Sequence, residues 1–328
     1  MVGMERFFDY PAPLWEYFHA VDARFDDLDP ADVQPARTPA HTNGLTRGQT
    51  AVRAVLWDVY GTLLNVGAGD LEQASEYTAQ LTAAARVLIE EFDLMNALQT
   101  RQSDRDPAEA LVERYLGLID ESHAQSRQRG IEYPEVVIEH IWQTILVECG
   151  AIKQESALQD KALRAGYLFD RAFQKTGLYT GVAQCLATLR AAGLHQGIIS
   201  NAQFYTPLHM RRHFRNATKR ANAELEEYFD PALMYFSYEM GLSKPNPRAF
   251  QGAAKRLADQ GVQPAEILYV GNDRLNDVYG AMQMGWKAAL WAVDDTQVTW
   301  RQEDPRYAET EPDAIITDPA QLTRALVG

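Results

Sequence analysis

The chain has 328 residues, of which 46% are hydrophobic and 23% are charged. These values are typical of a globular protein, and the length allows more than one domain. The formal net charge is −14, which disfavours binding to nucleic acid phosphates or to an anionic membrane surface. A small anionic substrate is compatible with this charge, because one local basic residue can outweigh the global charge at short range.

Cysteine usage and the absence of targeting signals bear on the compartment. Neither Cys149 nor Cys185 belongs to a CxxC pair, so a structural zinc site is not expected and a reducing compartment is. The first residues contain no basic segment followed by an apolar run, and no apolar stretch is long enough to cross a bilayer. We therefore expect a cytoplasmic protein without a membrane or nucleic acid partner. The sequence leaves open whether the chain forms a homodimer.

Residues 1–50 form a block of their own. The first half is rich in aromatic residues, and the stretch Asp27–Thr50 is rich in Pro, Asp, Thr and Gly, which indicates a loop. We expect the aromatic half to pack against the body of the protein as a short helix. An oligomer contact or a lid over the site is the alternative interpretation.

The next segments predict one buried strand followed by a helical insert. Ala54–Trp57 is a short apolar run that fits a buried parallel strand, and it ends at Asp58. From about Leu71 to Lys175 the apolar residues recur at helical spacing and no clear strand is visible.

From Tyr179 onwards strands and helices alternate, which indicates a parallel sheet covered by helices on both sides. Gly193 ends the first of these helices as a natural C-cap. The predicted strands are 196–200, 234–237, 267–270, 288–292 and 314–317, and the predicted helices are 182–192, 247–258 and 277–284.

Polar clusters follow three of the predicted strands directly, and a fourth lies in a loop before a helix. Because ligands bind at the carboxyl ends of the strands in such sheets, we expect the four clusters to converge at one edge. They are Asp58-Val-Tyr60-Gly61-Thr62, Ser200-Asn201, Ser243-Lys244-Pro245 and Gly271–Asp277.

Each residue type in these clusters has a chemical use. The Asp58 carboxylate can attack phosphorus, or a carbon that bears a leaving group, to form an ester or acyl phosphate that water then cleaves. Lys244 can keep this nucleophile ionised, and hydroxyl and amide groups can donate hydrogen bonds to the charge of the transition state. A glycine turn brings backbone N–H groups close to an anion. Carboxylate and amide oxygens suit Mg²⁺.

The candidate residues fall into three overlapping sets. The catalytic set is Asp58, Tyr60, Ser200, Asn201 and Lys244; the substrate-binding set is Gly61, Thr62, Ser200, Asn201 and Lys244; and the metal-binding set is Asp58, Tyr60 through its carbonyl, Asn272, Asp273 and Asp277.

At this point the sequence resembles the haloacid dehalogenase-like hydrolases. The four clusters, extended to Asp58-x-Tyr-Gly-Thr-Leu, Ile-Ile-Ser200-Asn201, Ser-Lys244-Pro-Asn-Pro and Tyr-Val-Gly271-Asn-Asp, are similar to that family's four motifs in order and spacing. The resemblance implies a Rossmann-like, doubly wound α/β core with an inserted all-helical cap. It implies a core at 51–66 and 178–328 and a helical cap at 67–177, so that the block at 1–50 is predicted to be an N-terminal extension.

The sequence departs from the phosphatases of the family at two positions. Tyr60 stands where they have a second Asp, the general acid for the leaving group, and a tyrosine with a pKa of about 10 is a poor substitute. Asp-x-Tyr-Gly-Thr resembles the 2-haloacid dehalogenases, whose halide leaving group needs no proton. Asn272 stands where the phosphatases have a metal-binding Asp, although the rest of this motif resembles their version.

Three functions are compatible with these residues. The first is a Mg²⁺-dependent phosphohydrolase of a small phosphorylated metabolite, acting through an aspartyl-phosphate. The second is a metal-independent 2-haloacid dehalogenase that forms an aspartyl ester. The third is a regulatory or protein-binding member with impaired catalysis.

A histidine pair, His209 and His213, lies four residues apart among arginines. A cation site is not expected in this basic setting. We interpret the segment as a solvated helix face or a phosphate-attracting patch.

Overall fold

The computed structural model describes residues 3–27, 36–41, 45, 51–67, 78–101, 105–151, 155–306 and 311–328. Most of the predicted loop between residues 27 and 50 lies outside the described residues, as does Leu71. Among the described residues, no helix is long and apolar enough to cross a membrane.

Six strands form a sheet of order β5-β4-β1-β6-β7-β8, and every neighbouring pair is parallel. The predicted α/β class with a parallel sheet is therefore confirmed. Two further short strands, β2 and β3, pair with each other, and the sequence pattern did not predict them. The strands are β1 Ala54–Trp57, β2 Leu64–Val66, β3 Thr176–Leu178, β4 His195–Ser200, β5 Met234–Phe236, β6 Ile267–Gly271, β7 Lys287–Trp291 and β8 Ala314–Ile316.

Helices cover both faces of the sheet, because central parallel strands are apolar on both sides. On β6, Leu268 and Val270 belong to one core cluster that includes residues of the helices α7, α8 and α12. The neighbouring Tyr269 instead packs edge-on against Phe250 of helix α10. The helices are α1 Ala12–Asp22, α2 Thr78–Glu91, α3 Met95–Arg101, α4 Pro107–Gln128, α5 Ile138–Glu148, α6 Leu158–Phe173, α7 Val182–Ala191, α8 Thr206–Thr218, α9 Ser237–Met240, α10 Arg248–Asp259, α11 Gly280–Gln283 and α12 Pro319–Leu326.

The chain divides into two compact units. The first comprises residues 1–8, 28–65 and 176–328, and the second comprises residues 9–27 and 66–175. Residues of the N-terminal block thus occur in both units, and its prediction as a separate extension stays a prediction. In the first unit, Phe7 is buried and packs edge-on against Phe236 of the outer strand β5.

The second unit contains the helices α1 to α6, and its N-terminal segment is held by a buried arginine. The Arg171 side chain of α6 is completely buried, and it forms ion pairs of 3.1 Å with Asp22 and 3.2 Å with Asp27. It also donates a 2.8 Å hydrogen bond to the carbonyl of Phe25. The aromatic segment therefore forms a helix that packs on the protein, as expected.

The histidine pair of helix α8 is buried, which corrects its interpretation as a solvated face. His209 stacks on Tyr205, and His213 lies 2.8 Å from the Thr176 hydroxyl and contacts Arg212. The spacing of four residues placed both rings on the same side of the helix, and that side faces the protein interior.

Candidate active site

Three of the predicted clusters lie at the ends of three adjacent strands. Asp58 follows β1, Ser200 ends β4, and Gly271 ends β6, with β1 between the other two. The Asp58 backbone N–H donates to the Val270 carbonyl at 2.9 Å, so the sheet hydrogen bonds continue to the candidate nucleophile. The convergence predicted from the topology is therefore present.

Lys244 connects Asp58 to the cluster that follows β6. Its buried ammonium donates to Asp58 Oδ1 at 2.7 Å, to Asp277 Oδ1 at 2.5 Å and to the Tyr269 hydroxyl at 3.0 Å. The Tyr269 hydroxyl in turn donates to the Ile199 carbonyl of β4 at 2.5 Å. An ammonium has three N–H donors, so these three acceptors occupy all of them.

The charges around Lys244 keep it protonated. Burial alone would lower the pKa of its ammonium, but the carboxylates of Asp277 and Asp58 raise that pKa well above its ordinary value of 10.5. Burial raises the pKa of the Asp277 carboxyl to about 7, against the opposing effect of Lys244. Lys244 can therefore act as a permanent positive charge beside Asp58.

Asn201 supports Lys244 through the backbone. Its Oδ1 accepts the Lys244 backbone N–H at 2.8 Å, and its Nδ2 donates to the Lys244 carbonyl at 3.4 Å. The Ser200 hydroxyl donates to the Asn201 carbonyl at 3.4 Å, which is a long contact. The Asn201 amide thus holds the Lys244 loop, and a hydrogen bond from it to the substrate stays a prediction.

The turn after Asp58 packs against Asn272. Gly61 has a φ of +77°, and a Cβ atom built there would lie 2.2 Å from Asn272 Nδ2, so only glycine fits. The Thr62 hydroxyl donates to Asn272 Oδ1 at 3.2 Å. The Tyr60 hydroxyl and the Thr206 hydroxyl lie 2.9 Å apart. The Tyr60 phenol therefore has a hydrogen-bond partner in the protein.

Asp273 and Asp277 have structural partners of their own. Asp273 Oδ1 caps the π-helical turn Arg274–Tyr279 by accepting the N–H groups of Leu275 and Asn276 at 2.8 Å and 3.0 Å. The Arg301 guanidinium also forms an ion pair of 2.7 Å with Asp273 Oδ2. Asp277 Oδ2 accepts the Asp273 N–H at 2.8 Å.

The predicted metal ligands fit a hard cation in part. Asp58 and Asn272 follow neighbouring strands and supply a carboxylate and an amide oxygen, which are suitable ligands for Mg²⁺. Asp273 and Asp277 are engaged by Arg301 and Lys244. Within the described ranges, no group of three His, Cys, Asp or Glu side chains could hold a metal ion. A cation beside Asp58 would thus meet one available carboxylate and neutral oxygens.

Sequence reasoning missed two residues of this arrangement. Tyr269 lies at the centre of a predicted buried strand, where a phenol needs a hydrogen-bond partner, but the sequence does not show that this partner is Lys244. Arg301 carried no signal, because it lies 28 positions from Asp273 in a loop without periodic pattern.

A sequence model described as a haloacid dehalogenase-like hydrolase matches residues 52–285, which is more than half of the chain. The chain belongs to the haloacid dehalogenase-like hydrolases. The family resemblance read from the four motifs is thereby confirmed.

Several curated relatives of this hydrolase are phosphatases. The chain is 31% identical over 168 residues to a phosphoserine phosphatase of Thermus thermophilus. The aligned region covers 51% of this chain and 59% of that protein. It is 29% identical over 146 residues to a glyceraldehyde 3-phosphate phosphatase of Pyrococcus furiosus, covering 44% of this chain and 53% of the relative. The matches thus span little more than half the length of these relatives.

A solved structure of a 2-haloacid dehalogenase from Pseudomonas syringae has the same fold. The superposition covers 84% of this chain and 98% of the dehalogenase chain, with a TM-score of 0.51 and 20% sequence identity. At this identity the likeness concerns the fold alone.

Proposed function

We propose that this hydrolase is a phosphohydrolase of a small phosphorylated metabolite, with Asp58 as the nucleophile. The observation that carries the proposal is the different hydrogen bonding of the two Asp58 carboxylate oxygens. Lys244 binds Oδ1 at 2.7 Å, and Oδ2 accepts no hydrogen bond from any residue that the structure describes. One oxygen is thus oriented by a fixed positive charge and the other is left to react. The phosphatase names of two relatives support the choice of phosphorus as the target.

The proposed reaction has two steps. Asp58 attacks phosphorus, so that a bond forms between its carboxylate oxygen and phosphorus while the bond from phosphorus to the leaving oxygen breaks. Water then attacks the aspartyl-phosphate, inorganic phosphate leaves, and the Asp58 carboxylate is restored. Lys244 balances the negative charge of the phosphoryl group in both steps.

Tyr60 restricts the substrate class. General acid catalysis contributes on the order of a hundred- to ten-thousandfold, and the Tyr60 hydroxyl is paired with Thr206. The chain therefore lacks a carboxylic acid at the position that would protonate an alkoxide. Acyl phosphates and phosphoanhydrides have leaving groups that need no proton, and they are the proposed substrates.

Mg²⁺ is part of the proposal. The Asp58 carboxylate, the Tyr60 backbone carbonyl and the Asn272 amide oxygen would hold it. When bound, it would offset the charge of the substrate phosphate. Among the protein's own residues, Lys244 orients the nucleophile.

The test is phosphate release from acetyl phosphate and from phosphoserine, each with MgCl₂ or with EDTA. We expect Mg²⁺-dependent release from acetyl phosphate at least about a hundredfold faster than from phosphoserine, as the missing acid implies. Asp58→Asn should abolish release, whereas Asp259→Asn, at an exposed helix end, should not. Acid-quenched wild type should carry a phosphoryl group on the peptide that contains Asp58. Retained turnover in Asp58→Asn would refute the mechanism.

A dehalogenase is the second candidate, and the low number of available carboxylates favours it. Halide is a leaving group that requires neither a proton nor a metal. Chloride release from 2-chloropropionate in EDTA, without phosphate release from acetyl phosphate, would select this function. A folded protein that turns over neither compound would instead support the regulatory alternative.

A further inference from the structure

A loop outside the four motifs binds the motif after β6. The backbone N–H of Thr299 donates to the Asn272 carbonyl at 2.9 Å, and the Arg274 N–H donates to the Thr299 carbonyl at 2.9 Å. The Asn272 amide donates to the Gln297 carbonyl at 2.7 Å. Residues 297–301, here called the 297–301 loop, thus pair with the backbone around Asp273 and bind the Asn272 side chain.

The last residue of the 297–301 loop places a guanidinium on Asp273. Arg301 Nη2 and Nε lie 2.7 Å and 3.1 Å from Asp273 Oδ2, and Nε also lies 3.3 Å from Oδ1. Arg301 has a φ of +53°, a region that non-glycine residues seldom adopt. Because Asp273 also caps the π-helical turn, both of its oxygens are occupied.

Arg301 ends a chain of charges that leads to the nucleophile. Arg301 pairs with Asp273, the Asp273 backbone binds Asp277, and Asp277 pairs with Lys244, which binds Asp58. The three carboxylates of Asp58, Asp273 and Asp277 thus face two positive side chains, Arg301 and Lys244, which leaves one negative charge in excess. Without Arg301, the Asp273 carboxylate beside Asn272 would lose its positive partner, and the negative charge in excess would rise from one to two.

We propose that Arg301 is a positioning residue that sets the divalent-cation affinity of the site, because its guanidinium acts as the counter-ion of Asp273 and withholds this carboxylate from a metal. The site then binds Mg²⁺ through Asp58 and neutral oxygens only. This inference concerns the metal requirement of the proposed function, but it is tested by binding in the absence of any substrate.

The sign of the effect distinguishes this role from simple support of the loop. Removing the positive charge leaves Asp273 as an additional anion, which attracts a divalent cation and makes binding tighter. If Arg301 served only to hold the loop, its loss would displace Asn272 and make binding weaker. Asn is the best replacement, because it tolerates positive φ and so avoids added backbone strain.

The experiment is a calorimetric titration of the full chain with MgCl₂, with melting temperature as the folding control. We expect Arg301→Asn to bind Mg²⁺ about tenfold more tightly than wild type, and Arg301→Lys, which keeps the charge, to stay within about threefold of wild type. Arg220→Asn, which breaks an exposed pair with Glu227, controls for the change in net charge. It should not alter binding.

A double variant assigns the effect to Asp273. Arg301→Asn combined with Asp273→Asn should lose the gain and bind as Asp273→Asn does. Unchanged, weaker or undetectable Mg²⁺ binding by Arg301→Asn would overturn the proposal. Because no turnover is measured, an inactive wild type would refute the proposed function and leave this result standing.

Discussion

Tyr269→Phe removes a single hydroxyl from the environment of Lys244. In the wild type this hydroxyl accepts one ammonium N–H at 3.0 Å and donates to the Ile199 carbonyl at 2.5 Å. Phenylalanine keeps the ring and its packing against Phe250. The substitution therefore deletes two hydrogen bonds and little apolar contact.

The cost follows from burial. Lys244 is 4% exposed, so water cannot replace the lost acceptor. A buried donor left without a partner costs about 1–3 kcal/mol, and a charged donor lies at the upper end of this range. The Ile199 carbonyl loses a donor as well. We expect the free energy of unfolding to fall by about 3 kcal/mol.

Urea unfolding followed by near-ultraviolet circular dichroism measures this loss, and hydrogen exchange of the β1 and β4 amides locates it. The matched control is Tyr235→Phe, since the half-buried Tyr235 hydroxyl makes no hydrogen bond to the residues described. That control should change stability by less than about 0.5 kcal/mol. Equal stability of the two variants would show that the ammonium does not depend on Tyr269.

Three further changes test other parts of the structure. Gly61→Ala places a Cβ atom 2.2 Å from Asn272 Nδ2 at a residue with positive φ. We expect the free energy of unfolding, measured by thermal unfolding, to fall by about 2 kcal/mol or more. A melting temperature equal to that of the wild type would contradict the close approach of Gly61 and Asn272. Asn272→Asp adds a carboxylate beside Asp58, and Mg²⁺ titration should show tighter binding by about tenfold; weaker binding would argue against a cation at this position. Burial raises the pKa of the Glu139 carboxyl above its ordinary value of 4.5, and one of its oxygens has no hydrogen-bond partner among the described residues. The folded state therefore holds the Glu139 proton more tightly than the unfolded chain does. As a result, the stability of the protein falls as the pH rises above 4.5. Glu139→Gln should therefore stabilise the protein by about 1 kcal/mol near neutral pH and give no gain below about pH 4 in urea titrations; an equal gain at both pH values would rule out ionisation as the cause.

The sheet edge and its residues were predictable because they depend on local pattern and topology. Apolar runs such as Ala54–Trp57 identify buried strands, and parallel strands bring their carboxyl ends together. These two rules bring Asp58 and the motif after β6 to one place. The contact with Lys244 followed from the same convergence, because its loop was expected at this edge and a lysine can keep a carboxylate ionised.

Other features depend on side chains that are distant in sequence. The pairing of Arg301 with Asp273 requires the 297–301 loop to fold back on the site, and no periodicity encodes that path. The two hydrogen bonds between the Asn201 amide and the Lys244 backbone were not predictable, because a residue type indicates that an amide can donate and accept but not which partner it meets. The His209 and His213 rings were judged by their charged neighbours, whereas their common helix face decides their burial.

The division of the N-terminal block has a practical consequence for truncated genes. A protein that begins at residue 52, where the match to the family begins, would keep Arg171 and lose both Asp22 and Asp27. Removing the partner of a buried charge costs about 3–5 kcal/mol, and Phe236 would also lose the ring that covers it at the outer strand. Expression of such a fragment would yield aggregated material, and soluble protein would require the first 27 residues to stay attached.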